Sequence, residues 1–381
     1  MLPENSPGAR LVGRVWRADI DTPSVVILRD GILLDVTETV KSVADFLDDN
    51  PTERFDRLKG DPIGRPEDLV LTPAETGYGA ARHCLLAPCD FQAIKACGVT
   101  FAQSMIERVI DERTLGDPVK ADEIRNRIGD FIGGSLSNIK AGSDEAAQVK
   151  AALEKDGLWS QYLEVGIGPD AEVFTKSQPM SSVGYGAEVG INKISKWSNP
   201  EPEIVLAVDS SGNIRGATLG NDVNLRDVEG RSALLLGKAK DNNASCAIGP
   251  FIRLFDEAFT LADIENATLT MAVTGDDGFE MSGRSNMAEI SRKPAELVAQ
   301  TMNASHQYPD GFMLFLGTMF APTLDRAEKG SGFTHKIGDV VEISTPSLGT
   351  LRNVVTTSDK ARPWTYGTRA LMRDMAKRGL L

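Results

Sequence analysis

The sequence predicts an α+β protein in which a small N-terminal α/β domain precedes a larger, mainly β domain with inserted helices. Short apolar runs separated by turn residues come first, at Val12 to Trp16, Ser24 to Arg29 and Gly31 to Val36. A helical stretch follows from Thr37 to Asp49, and from Val165 onward short apolar runs are punctuated by glycine, which is typical of strands and turns. With 381 residues the chain exceeds one average domain.

A boundary between the two parts is indicated by the proline-containing stretch from Pro73 to Pro88. We therefore predict domains at residues 1–80 and 81–381. In the second domain, an apolar segment enters a helix within Asp90 to Asp111. Further helices are predicted at Lys120 to Ile132, Asp144 to Asp156 and Pro294 to Asn303.

The charge balance excludes two classes of partner. The formal net charge is −13, and no basic stripe interrupts it, so neither nucleic acid nor an anionic membrane is an expected partner. No apolar run is long enough to span a bilayer, and Met1 to Asn5 lacks a cationic and apolar leader. We expect a cytoplasmic protein.

Acidic residues gather around a predicted β-hairpin. Glu201 and Glu203 lie at the start of the apolar run Ile204 to Val208, and residues two apart on a strand point to the same face. The turn Asp209 to Asn213 predicts a hairpin with Ile214 to Leu219 as the returning strand.

This hairpin predicts a metal site. A turn centred in the loop would place Glu203 opposite Leu219 and Glu201 opposite Asn221, so that Asp222 arrives beside both glutamates. Three carboxylates with no cation nearby in the sequence repel one another, unless a pKa is raised or a hard cation binds. Oxygen-only ligands favour Mg²⁺ or Mn²⁺ over zinc. The alternative is that the glutamates are solvated residues at a sheet edge.

Several separated motifs resemble the fumarylacetoacetate hydrolase superfamily. They are Asn199 to Glu203, Gly220 to Asp227, Leu236 to Lys240, His335 to Ile343 and Gly349 to Asn353. Asp222 follows Glu201 by 21 positions and Lys240 follows Asp222 by 18, intervals similar to those of the 2-keto-3-deoxy-D-xylonate and 2-keto-3-deoxy-L-arabinonate dehydratase branch. Together these motifs are far more specific than any one of them.

The resemblance implies a fold, a metal and a reaction. It implies a fumarylacetoacetate-hydrolase-like catalytic domain that holds Mg²⁺, or Mn²⁺, with Glu201, Glu203 and Asp222. The implied reaction is dehydration of a 2-keto-3-deoxy-pentonate, derived from D-xylonate or L-arabinonate, to 2-oxoglutarate semialdehyde through a metal-stabilised enolate. That reaction belongs to oxidative pentose degradation. Relatives are commonly homodimers or homotetramers, so one of these assemblies is expected.

The resemblance also implies roles for four further residues. Lys240 would contact the substrate carboxylate or the developing oxyanion, or act as a base. Arg226 and Glu229 follow Asp222 by four and seven residues and would face the metal ligand, Arg226 to bind or orient carboxylates and Glu229 to transfer protons. Thr318 matches a Gly-Thr loop that contacts the keto-acid carboxylate. The alternatives are a solvated lysine and an arginine paired with a neighbouring acid.

One segment of the sequence favours dehydration over hydrolysis as the reaction. Thr100 to Glu107 matches the place where the family's hydrolases carry Asn-Tyr-x-x-His-x-x-Glu, with Ser104 at the histidine position and Glu107 retained. Serine is a poor general base near neutral pH, so a complete hydrolytic pair is missing. Ser104 and Glu107 would share a helical face and meet the substrate, Ser104 to bind it and Glu107 to act in catalysis. The alternative is that Glu107 is a solvated helix residue or the partner of Arg108 or Arg113.

Two rival enzyme functions use the same metal, an acylpyruvate-type C–C hydrolase and an oxaloacetate decarboxylase. The rival outside catalysis is a catalytically dead protein that binds a 2-keto acid.

Overall fold

The computed structural model describes residues 1–69, 72–115, 139–155, 157, 159–318, 322, 324–326 and 332–381, without the side chains of residues 102–104 and 111. The helix predicted at Lys120 to Ile132 lies outside these residues. In the described part of the chain, no helix is both long and apolar enough to cross a membrane.

In the described part of the chain, helices combine with three β-sheets, which confirms the predicted α+β class. In chain order the described strands are β1 (Leu11–Arg17), β2 (Thr22–Arg29), β3 (Ile32–Asp35), β4 (Asp61–Gly64), β5 (Cys84–Leu86), β6 (Ala93–Gly98), β7 (Glu172–Ser177), β8 (Glu188–Ile191), β9 (Ser198–Asn199), β10 (Pro202–Val208), β11 (Ile214–Asp222), β12 (Asn224–Leu225), β13 (Cys246–Leu254), β14 (Thr268–Thr274), β15 (Glu280–Asn286), β16 (Phe312–Phe315), β17 (Val340–Thr345) and β18 (Gly349–Thr357). The described α-helices are α1 (Thr37–Val40), α2 (Val43–Asp48), α3 (Pro51–Phe55), α4 (Ala102–Thr114), α5 (Asp144–Lys155), α6 (Gln161–Ile167), α7 (Arg226–Glu229), α8 (Leu236–Lys240), α9 (Leu261–Glu265), α10 (Pro294–Thr301) and α11 (Thr368–Lys377).

Most predicted helices form where the sequence marks their ends. Helix α5 begins after Ser143, whose Oγ accepts a hydrogen bond from the backbone N–H of Ala146 at 3.2 Å, and Gly157 beyond its end has a φ of +66°. The predicted helix from Thr37 to Asp49 forms as α1 and α2 instead. The chain breaks between them because Lys41 has a φ of +64° and Ser42 caps a new helix.

The largest sheet has eleven strands in the order β4-β3-β2-β1-β13-β11-β10-β16-β6-β7, with β5 paired to β1. All of its neighbours are antiparallel except β16 and β6. Strand β1 pairs with β13, so the sheet continues from the N-terminal strands into the acidic hairpin. The domain boundary at residue 80 stays a prediction.

The hairpin strand β10 is buried on both faces, which explains its uninterrupted apolar sequence. Ile204, Leu206 and Val208 belong to the core shared with the five-stranded sheet β15-β14-β17-β18-β8. Val205 and Ala207 point the other way, into the core beneath α2 and α3. Alternate residues of β10 therefore pack into two different hydrophobic cores, one on each face of the sheet. This packing on both faces fixes the position of the strand that carries Glu203.

The predicted hairpin is confirmed, but its predicted register is wrong by one residue. Glu203 lies opposite Gly220, not Leu219, and Asn221 faces Pro202. The cause is a β-bulge at Arg215, which adds one residue to β11 and shifts every later pair.

Candidate active site

The three predicted metal ligands meet at one end of the hairpin. Glu201, Glu203 and Asp222 are 2%, 1% and 1% exposed, and each offers a carboxylate oxygen within 4.8 Å of the others. The backbone N–H of Asp222 donates to the carbonyl of Glu201 at 3.0 Å, which brings the two strand ends together despite the shifted register. The alternative of solvated edge residues is therefore wrong.

Cations from distant elements, Lys240 and Arg108 among them, neutralise this acidic group. Lys240, the last residue of α8, places Nζ 2.5 Å from Glu201 Oε2 and 2.9 Å from Asp222 Oδ2. Arg108, from α4, places Nη2 2.5 Å from Glu201 Oε1. The alternative that Lys240 is a solvated lysine is excluded, since it is 3% exposed.

The carboxylates differ in their readiness to hold a proton. Burial raises the pKa of Glu203 well above its ordinary value, and the charges of Asp222 and Glu201 raise it further, against the N–H of Gly317 that donates to Oε2 at 2.7 Å. Burial would also raise the pKa of Asp222, but the ammonium groups of Lys176 and Lys240 outweigh it and lower that pKa. A buried all-oxygen cluster in which one carboxyl resists ionisation is suited to a hard divalent cation.

Glu229, at the end of α7, is held as an anion beside this cluster. Its Oε2 accepts a hydrogen bond from Asn224 Nδ2 at 2.7 Å and lies 2.9 Å from Arg108 Nη1. Burial alone would raise its pKa, but Arg108 and Lys240 lower it. Burial would likewise lower the pKa of Lys240, yet Asp222, Glu201 and Glu229 raise it, which favours an ammonium that contacts anionic oxygen over a neutral base.

A small cavity of about 20 Å³ adjoins these groups. The metal-ligand trio lines it together with Lys240, Glu229 and Thr318, so six of the predicted site residues share one space. Such a volume has room for about one water molecule, so a bound substrate requires the groups around the cavity to move apart.

The predicted residues Glu107 and Arg226 form a buried ion pair. Arg226 Nη2 donates to Glu107 Oε2 at 3.0 Å, and its guanidinium lies 4.1 Å from the ring centroid of Trp197. Glu107 is 5% exposed, so it is not a solvated helix residue. Neither residue is among the described residues that line the cavity. The side chain of Ser104 lies outside the described part of the structure.

Strand β7 carries three site residues that our sequence reasoning missed. Glu172, Phe174 and Lys176 alternate along it; Glu172 and Phe174 line the cavity, and Lys176 Nζ lies 2.8 Å from Asp222 Oδ1. Glu172 lies opposite Gly98 on β6, where any Cβ would collide with the Glu172 carboxyl. The alternation of charged and aromatic residues in this strand was the available signal.

Glu172 has an unusual environment for a carboxylic acid. Burial, followed by the charge of Glu229, raises its pKa to about 7. Among the hydrogen bonds between described residues, none engages its carboxyl, so it can bond to a ligand in the cavity. Arg108, in contrast, left no sequence signal beyond its place next to Glu107.

Comparison with known proteins agrees with the motif resemblance. Residues 136–356 match the family model described as fumarylacetoacetate (FAA) hydrolase C-terminal. A 2-dehydro-3-deoxy-D-arabinonate dehydratase from Saccharolobus solfataricus is 32% identical over 180 residues, which are 47% of this chain and 57% of that protein. The chain thus matches a little over half the length of this relative. A probable 2-keto-3-deoxyxylonate dehydratase from Haloferax volcanii is 28% identical over 258 residues, 68% of this chain and 85% of that protein.

Solved structures share the fold. A 2-keto-3-deoxy-D-arabinonate dehydratase complexed with magnesium and 2,5-dioxopentanoate superposes with a TM-score of 0.62 at 21% identity, covering 91% of this chain and 99% of that one. The same enzyme in its apo form gives a TM-score of 0.63 over the same shares at 21% identity. The family match covers more than half of the chain and includes the hairpin and Lys240. This protein belongs to the fumarylacetoacetate hydrolase family.

Proposed function

We propose that this protein is a Mg²⁺-dependent dehydratase that converts a 2-keto-3-deoxy-pentonate to 2,5-dioxopentanoate, which is 2-oxoglutarate semialdehyde. The observation that carries the proposal is the buried trio of Glu201, Glu203 and Asp222, with Lys240 between two of its members and a cavity beside it. The names of the two curated relatives support the substrate class, and the magnesium and product in a related structure support the metal and the reaction.

The residues present fit a divalent cation. The trio is buried, offers only oxygen atoms and includes a carboxyl whose pKa is raised by burial and like charge, so Mg²⁺ or Mn²⁺ suits it chemically. Bound there, the cation would withdraw electrons from the C2 carbonyl of a 2-keto acid and acidify the protons at C3. The ammonium of Lys240 then stabilises negative charge that develops on substrate oxygen.

Two carboxyl groups with opposite pKa shifts divide the proton transfers. Glu229, kept ionised by Arg108, accepts a proton from C3. Glu172, with its pKa raised to about 7, gives a proton to the C4 hydroxyl as the C4–O bond breaks and water leaves. Environments that push two pKa values apart are the usual basis for such a division. Rearrangement through C5 then gives the aldehyde.

Glu172→Gln is expected to lower kcat by about a hundredfold, because the leaving hydroxyl loses its proton donor. Wild-type kcat should fall as the pH rises above about 7, where Glu172 loses its proton, and the variant should lose this alkaline limb. Steady-state rates from about pH 6 to about pH 9 measure both effects. Glu188→Gln is the matched control, since burial also raises the pKa of Glu188 but it lies outside the site. An unchanged alkaline limb in Glu172→Gln would exclude Glu172 as the acid.

The hydrolase rival needs a histidine that this site lacks. All three histidines of the chain are described, and none lines the cavity. His335 is buried against Asp339, His306 stacks on Tyr308, and His83 lies near Asp19. Ser104 stands where the family's hydrolases carry histidine, which is consistent with a cavity that none of the three histidines lines.

Incubation with defined substrates tests the function. Purified protein with Mg²⁺ is expected to dehydrate 2-keto-3-deoxy-xylonate or 2-keto-3-deoxy-arabinonate, with the semialdehyde detected by mass spectrometry. Acetylpyruvate and oxaloacetate should be left unchanged. Pyruvate and acetate from acetylpyruvate would point to the hydrolase, pyruvate and CO₂ from oxaloacetate to the decarboxylase, and no turnover of any compound to a binding protein.

The finer expectations belong to this proposal as well. They are a catalytic role for Glu107, substrate binding by Arg226, Ser104 and Thr318, assembly as a homodimer or homotetramer, and a cytoplasmic location.

A further inference from the structure

Lys176 is a fully buried lysine surrounded by oxygen atoms. It is 0% exposed, and its Nζ lies 2.8 Å from Asp222 Oδ1 and donates to the carbonyl of Val223 at 3.2 Å. It also donates a short hydrogen bond to the carbonyl of Lys240. These acceptors belong to two segments only, the end of β11 with the residue after it and the end of α8.

The contacts turn the Lys176 ammonium toward oxygen atoms of the protein and not toward a substrate. A lysine ammonium has three N–H bonds, and three oxygen atoms already surround this one. The residue is also outside the set of described residues that line the cavity. Any influence it has on the reaction must therefore pass through the groups that it holds.

Those groups form a closed ring. Asp222 meets Lys176 through Oδ1 and Lys240 through Oδ2, while the backbone carbonyl of Lys240 returns to Lys176. Ser245 Oγ donates to the same carbonyl at 2.8 Å. One ammonium on a separate strand thus contacts both a metal ligand and the backbone of Lys240.

We propose that Lys176 is a positioning residue that sets the affinity of the site for a divalent cation. It holds Asp222 with Oδ2 turned toward the ammonium of Lys240, and it anchors the Lys240 backbone through its carbonyl. The role rests on the proposed function for its effect on turnover, whereas its effect on metal binding requires only the acidic trio. Residues that orient metal ligands from behind typically change affinity or activity by about 10- to 100-fold when replaced.

The test is calorimetric titration of MgCl₂ into chelator-treated protein, with wild type, K176M and K95M compared. In K176M the dissociation constant for Mg²⁺ is expected to rise about tenfold or more, with kcat lowered about tenfold or more and KM changed little. Electrostatics alone predicts the opposite, because removal of a cation beside Asp222 should tighten binding of another cation. K95M is the matched control, since Lys95 lies on the neighbouring strand and contacts only Thr175 in the described hydrogen bonds.

K176Q keeps the test decisive if K176M does not fold. Its amide can still donate to the carbonyls of Val223 and Lys240 but carries no charge for Asp222, so the same loss of Mg²⁺ affinity is expected. Tighter or unchanged Mg²⁺ binding in a folded Lys176 variant overturns the inference and leaves the proposed function standing. Failure of the wild-type protein to bind Mg²⁺ would instead overturn the proposed function.

Discussion

Lys240→Ala is expected to lower kcat by about a thousandfold, whereas Lys238→Ala should keep near-normal activity. The reason is position. Lys240 is buried with Nζ between Glu201 Oε2 and Asp222 Oδ2, while Lys238, in the same short helix, is exposed. Loss of one preorganised donor from a water-excluded site typically costs about a hundred- to a thousandfold in rate. The variant also lacks the ammonium that contacts the metal ligands Glu201 and Asp222.

The measurement is the rate of semialdehyde formation at saturating Mg²⁺. Removal of one partner from a buried ion pair also destabilises a protein by about 3–5 kcal/mol, so thermal unfolding must be recorded with Mg²⁺ present. The Mg²⁺ dissociation constant is measured alongside it. Substantial turnover in folded, metal-loaded Lys240→Ala would remove Lys240 from the catalytic group, and a loss limited to Lys238→Ala would reverse the assignment.

Removal of the metal is expected to abolish activity. Replacement of the metal ligand Glu203 is expected to prevent recovery of activity when Mg²⁺ is added back. Chelator-treated wild type should regain full turnover with Mg²⁺. Glu203→Gln should stay inactive and bind Mg²⁺ at least about a hundredfold more weakly, because a neutral amide replaces a charged ligand. Glu188→Gln again serves as the control. Equal turnover of wild type before and after exhaustive chelation would eliminate the metal from the mechanism.

Metal binding should also depend on pH with a definite sign. The pKa of Glu203 is raised by burial and by its acidic neighbours, so its carboxyl tends to hold a proton that a cation must displace. Mg²⁺ affinity should therefore increase with pH until Glu203 is ionised and then level off. Titrations in two buffers of different ionisation enthalpy measure the proton released. An affinity that is flat below neutral pH would contradict this linkage.

The stability of the metal-free protein follows from the same shift. A carboxyl whose folded pKa lies above its unfolded pKa stabilises the fold fully only below the unfolded value, and this contribution is lost as the pH rises through the folded value. Glu203 should thus make the chelated protein less stable toward alkaline pH, and Mg²⁺ should reverse the loss. Glu203→Gln should show a smaller dependence.

The metal ligands were predictable because their arrangement is local. Alternation along one strand places Glu201 and Glu203 on the same side, and a short turn returns the chain to Asp222. The register was not predictable from turn length, since the length of the turn does not reveal the bulge at Arg215. Lys240 was identified through the family resemblance, because a lone lysine after a short helix carries no signal of burial.

Other parts of the site depend on packing between distant segments. Arg108 reaches Glu201 across 93 positions of the sequence. Glu172 and Lys176 belong to the site because β6 pairs with β7 at the end of the large sheet. No local sequence pattern specifies that pairing. Periodicity can place these side chains on one face of a strand, but it cannot say which other strand or helix that face will meet.

The hairpin that bears the ligands lies in the interior of the large sheet, with β16 on one side and β13 on the other. Amides so enclosed are among the last to exchange with deuterium, because their opening requires nearly global unfolding. The cation would then be held by a part of the backbone that opens rarely. Any rearrangement that admits a ligand to the site would accordingly involve segments other than these two hairpin strands.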